Sequence, residues 1–103
     1  MNAELEFIKI IINTAKYFKT FNWVWEDIDN RDVNVEKSIE ALKNIDRIWI
    51  PYLSGVGNIE EVIWVTNIAK MILNYHKDMG RKEAEEYLAH VSIMENIIYK
   101  MKY

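Results

Sequence analysis

Only one proline and three glycines occur in this 103-residue chain, and they fall in two places. Pro51, Gly55 and Gly57 form one cluster, and Gly80 stands alone. A polar run from Glu26 to Asn34 makes a third interruption. The stretches between these points are too long to be loops and must satisfy their own backbone hydrogen bonds. Their apolar residues recur at three-four spacing, which is the signature of helices with one buried face.

Four helices are predicted, over about 3–21, 35–49, 59–79 and 81–102. In the first, Leu5, Ile8, Ile12 and Ala15 make one stripe, and Phe7, Ile11 and Phe18 make another beside it. In the second, Val35, Ile39, Leu42, Ile45 and Trp49 alternate with Glu36, Lys37, Glu40, Lys43, Asn44 and Arg47, with Asn34 as N-cap. Pro51 is expected to end this helix, because a proline disfavours α backbone at the residue before it. An extended run over 48–53 is the alternative there, since β-branched and aromatic residues are dense, but a single strand has no partner. The third helix starts with Asn58 and Glu61 in a reciprocal capping pattern. It should end at Gly80, with His76 and Lys77 complementing the negative end of the helix dipole. The fourth carries Ala84, Tyr87 or Leu88, Val91, Met94, Ile98 and Met101 on its stripe. The short link between the last two helices implies a hairpin.

The expected fold is therefore all-α, a single-domain antiparallel four-helix bundle. The first and third helices carry more apolar surface than one small core encloses. Ile10, Ile11, Trp64, Ile68 and Met71 are accordingly the expected interface of a homo-oligomer.

Several activities are disfavoured by composition. There are 13 basic and 16 acidic residues, net −3, without the basic excess of a duplex-binding domain. No cysteine is present, which removes thiolate metal sites and cysteine nucleophiles. No secretory leader is recognised, and no stretch reaches the ~18 apolar residues of a membrane-spanning helix. A cytoplasmic protein is expected, in the host cytoplasm if it is viral. Isoleucine exceeds leucine, lysine exceeds arginine, and asparagine is abundant where glutamine is absent, as in AT-rich genomes.

No catalytic or metal constellation is complete. The acids Asp27, Asp29 and Asp32 resemble a calcium loop, but Asp32 and Ser38 occupy the positions that need Gly and Glu. Glu86 and His90 could clamp a metal at i, i+4, yet no third ligand is evident, and His76 is too far along the hairpin to join them. Paired glutamates spaced by three on two helices, as helical nucleotide pyrophosphohydrolases use, are half present. Glu83 and Glu86 make one pair, but Ile98 follows Glu95 where an acid is needed. No cofactor is called for.

Two functional readings remain. The first is a non-enzymatic protein–protein interaction module, acting as an inhibitor, adaptor or assembly subunit, a class frequent among viral accessory proteins. Its expected contact surface is Trp23, Trp25, Glu26, Asp27, Asp29 and Asp32, where two indoles precede four carboxylates. Such a surface would meet a partner with a basic patch, the aromatics serving as anchors. The competing reading of these two tryptophans is a lid on the end of the bundle. The second function is an oligomeric binder of a small, nucleotide-type ligand. Tyr52, Trp25 or Trp64 would stack on the ligand, with the turn Ser54, Gly55, Gly57 and Asn58 available to it, and Lys16, Lys19 or Arg81 would meet its phosphates. Against it, Glu60 and Glu61 place negative charge at the same helix end, and a turn with a cap accounts for those glycines.

Overall fold

The computed structural model describes residues 3–20 and 35–102, and among these the regular structure is entirely helical. Five helices follow one another: α1 (Ala3–Thr20), α2 (Val35–Lys43), α3 (Ile45–Leu53), α4 (Ile59–Asp78) and α5 (Glu83–Lys102). α1 packs against α2 and α3 on one side and against α5 on the other, and α4 does the same. The Cα radius of gyration is 13.3 Å, against about 13 Å for a compact domain of 100 residues.

The second expected helix is two helices, broken at Asn44. Its backbone leaves the α region at φ −119°, ψ 30°, and its side-chain amide turns back to the Glu40 carbonyl at 3.0 Å. Asparagine can satisfy backbone acceptors outside a helix, which makes it a suitable breaking point. The core stripe survives the break, because Leu42, Ile45 and Trp49 are all fully buried.

Pro51 does not end its helix. It lies inside α3, which continues to Leu53. The proline lacks only the N–H that would reach the Arg47 carbonyl, and Arg47 is exposed, so water can serve that acceptor. The terminus forms one turn later around the Pro51 carbonyl, which accepts from Val56 N, while Gly55 N bonds to Tyr52 O and Gly55 takes φ +87°. This is a Schellman cap. The same device ends α4, where Arg81 N bonds to His76 O, Gly80 N bonds to Lys77 O, and Gly80 has φ +89°. Gly57 serves closeness instead, since a Cβ there would lie 2.5 Å from the Tyr52 backbone nitrogen.

In α1 the second of the two stripes faces the core, joined by Ala15 from the first. Phe7, Ile11 and Phe18 are buried, while Leu5 is half exposed and Ile8 and Ile12 sit at the boundary. The reason is the partner across the core. The Trp49 indole meets the Phe7 ring edge-on at 5.4 Å and donates its N–H to Thr66 Oγ1 at 3.1 Å. α4 buries Val62, Val65, Thr66, Ile68, Ala69, Ile72, Leu73 and His76. α5 begins at Glu83, two residues later than its spacing suggests, and buries Ala84, Val91, Met94 and Ile98. After Gly80 the chain doubles back, so that Lys70 on α4 reaches Glu95 on α5 at 3.4 Å.

Candidate functional site

Two places combine polar chemistry with tertiary structure. The first is a buried ring cluster. Tyr17 on α1 and His76 on α4 share a hydrogen bond of 2.7 Å between Oη and Nδ1, both residues being buried. Tyr87 stacks obliquely on Tyr17 at 4.5 Å, and His90 meets Tyr87 edge-on at 5.3 Å. Burial raises the Tyr87 phenol above its usual value, and the nearby Glu86 and Glu83 carboxylates push it the same way. The cluster ties α1 to the hairpin across the core. His76 is thus a core histidine and not a surface cation at the helix end.

The second place is a groove of about 270 Å³ between α2, α3 and α4. Ala41 from α2, Asn44 from the break, Ile48 from α3 and Trp64 from α4 form its half-buried floor. Lys37, Glu40 and Glu61 line it as exposed side chains. Lys37 Nζ stands over the Trp64 ring, 5.3 Å from its centre, in cation–π geometry. Glu40 Oε1 accepts from Asn44 Nδ2 at 3.1 Å, which holds that carboxylate beside the helix break. The result is an indole with one ammonium over it in a groove that two carboxylates also line.

The sequence-predicted residues fall in several places. Trp23, Trp25, Glu26, Asp27, Asp29 and Asp32 lie outside the described residues. Of the expected interface set, Ile11 and Ile68 are buried in the core, Ile10 and Trp64 are half-buried, and Met71 is 40% exposed. The nucleotide-type set is divided. Tyr52 packs edge-on against Trp49 at 6.1 Å, and Ser54, Gly55, Gly57 and Asn58 precede α4. Asn58 caps α4 by accepting from Glu60 N at 2.8 Å, while Glu61 lines the groove. Arg81 follows the far end of α4, and Lys16 and Lys19 flank Tyr17, which touches His76 at that same far end. The 20 residues of α4 separate the two halves by about 30 Å at ~1.5 Å per residue. Among the described residues, no group of three or more His, Asp or Glu could hold a metal ion, and no helix is long and apolar enough to cross a membrane.

The groove was not legible as a site because its lining comes from three helices. In the sequence, Lys37, Glu40 and Asn44 read as the solvated face of one amphipathic helix. The usable signal was Asn44, a helix-breaking residue in the middle of an otherwise regular stripe. Compared with protein-family models, with curated proteins and with solved structures, the chain matches none.

Proposed function

We propose that this chain is a non-enzymatic protein–protein interaction module, an inhibitor, adaptor or assembly subunit, built as an antiparallel bundle of four walls with α2 and α3 as one broken wall. The observation that carries the reading is the groove, with an accessible indole on its floor and carboxylates on its rim. Tryptophan in a partly desolvated seat is the commonest kind of binding anchor. At about 270 Å³ the groove stands at the lower edge of the ~300–1,000 Å³ of small-molecule sites. It suits one or two side chains of a protein partner. The acidic-aromatic segment with Trp23, Trp25, Glu26, Asp27, Asp29 and Asp32 has the same chemistry, indoles next to carboxylates. Both features favour a basic partner.

The nucleotide-type alternative is less well supported, because Tyr52 and Trp64 stand toward the start of α4 while Arg81 follows its far end. A thermal-shift screen separates the two readings. A nucleotide at a hundred times its Kd would add about 2.7 kcal/mol to stability, on the order of 10 °C in a domain of this size. The interaction reading expects no such shift, together with loss of co-purifying partner when Trp64 is replaced by alanine. A nucleotide shift of that size with partner recovery unchanged in Trp64→Ala would reverse the assignment.

A further inference from the structure

We infer that the groove is an arginine seat: a guanidinium from a basic helical segment of the partner stacks on Trp64 between Glu40 and Glu61, taking the place that Lys37 holds in the chain alone. The inference rests on the protein-partner reading above and adds the chemistry of the contact. Three observations converge on it. Lys37 Nζ over the Trp64 ring shows that a cation is accommodated on this indole face. Glu40 on α2 and Glu61 on α4 both line the groove, so its rim carries two carboxylates within the lining of the same indole. The floor beside the ring is apolar, Ala41 and Ile48, which suits the methylene stem of a long side chain and an aliphatic neighbour on the same helix.

Arginine fits this seat better than lysine. Its planar guanidinium stacks on an indole, gives up its water more readily, and offers several N–H donors to carboxylates on both sides. Lysine offers a compact, strongly hydrated charge. Lys37 is exposed. With it displaced, the groove presents two negative charges and an open indole. A partner therefore competes with an internal cation, and removing that cation should tighten binding.

The test uses the full chain and a synthetic alanine-based helical peptide of about 16 residues, long enough to form a helix. The peptide carries Arg and Leu at i and i+4, and a matched control carries Glu in place of Arg. Binding is read from the Trp64 indole N–H cross-peak and from fluorescence anisotropy of labelled peptide. The Arg peptide is expected to shift the Trp64 cross-peak and the Glu peptide to leave it in place, with affinity falling as salt rises. Trp64→Ala should weaken binding about tenfold or more, and Glu40→Gln with Glu61→Gln should weaken it several-fold without touching the indole. Lys37→Ala should strengthen it. Binding indifferent to Trp64 and to both glutamates, equal binding of the two peptides, or weaker binding in Lys37→Ala overturns the arginine seat. So does a Trp64 shift that depends on protein concentration with no peptide present, which assigns the groove to a second copy of the chain. If Trp64→Ala loses the cellular partner while the Arg peptide leaves Trp64 unmoved, the arginine seat is refuted and the interaction reading stands.

Discussion

The strongest consequence of the fold concerns Thr66→Val. Trp49 and Thr66 are both fully buried, and the indole N–H has the Thr66 hydroxyl as its acceptor at 3.1 Å. Valine matches threonine in shape and β-branching, so the substitution opens no cavity and changes helix propensity little. The lost bond from Thr66 Oγ1 to the Val62 carbonyl matters little, because back-bonding of this kind contributes nothing favourable to a helix. What remains is a buried indole N–H without an acceptor, at a cost of about 1–3 kcal/mol. At about 4–8 °C per kcal/mol, the midpoint should fall by at least ~4 °C. The assay is a double-mutant cycle by urea denaturation, with Trp49→Phe as the second arm. Phenylalanine has no N–H to strand, so Thr66→Val should cost almost nothing in that background. Equal cost in both backgrounds, or a loss below about 0.5 kcal/mol in the native one, would show that the bond does not hold the core together.

Three further outcomes are expected. Gly57→Ala should destabilise the fold more than Gly80→Ala in chemical denaturation, because its Cβ would meet Tyr52 backbone at 2.5 Å whereas the Gly80 position is open. Gly80→Ala should still lose about 1–2 kcal/mol to its left-handed backbone. Tyr87, whose phenol is raised by burial and by Glu86 and Glu83, should ionise above the ordinary tyrosine range in an absorbance titration. A raised pKa means the fold holds the proton more tightly, so this contribution is intact below the unfolded value near ~10 and is lost as pH climbs through the folded value. Tyr87→Phe should flatten that alkaline decline. Ala41→Leu should leave melting unchanged or slightly higher, since its added carbons fill the groove, yet it should block the Arg peptide.

Much of the fold could be read from the sequence, and what escaped did so for definite reasons. The chain-breaker positions located the two tight caps, and Gly80 sits at C′ as its place in the chain implied. The break at Asn44 was invisible to periodicity because Leu42, Ile45 and Trp49 keep one face inward through it. Pro51 misled because proline acts locally, whereas the helix end is set by which carbonyl the turning chain can reach. His76 was misread as a terminal cation, although its spacing from Ala69 and Ile72 already placed it on the buried stripe. Its partner Tyr17 lies 59 residues away in sequence, and no local pattern reveals such a pair.

The break and the groove have one origin. A straight helix from 35 to 53 would run its polar face past α4 without interruption. The break at Asn44 preserves the core stripe, and Ala41 before it and Ile48 after it both line the groove with Trp64. Ala41, with the smallest side chain in the lining, does not fill that groove. Lys37 stands over the indole from the α2 side, with a charged group where an aliphatic residue would have covered the ring with carbon. The core takes Leu42, Ile45 and Trp49 from this wall in full, and Ala41 and Ile48 pack against it in part. The groove floor of Ala41, Ile48 and Trp64 is therefore part core and part surface. On the proposed reading, a small residue, a helix break and a cation over tryptophan together make this half-exposed floor a seat for a partner side chain.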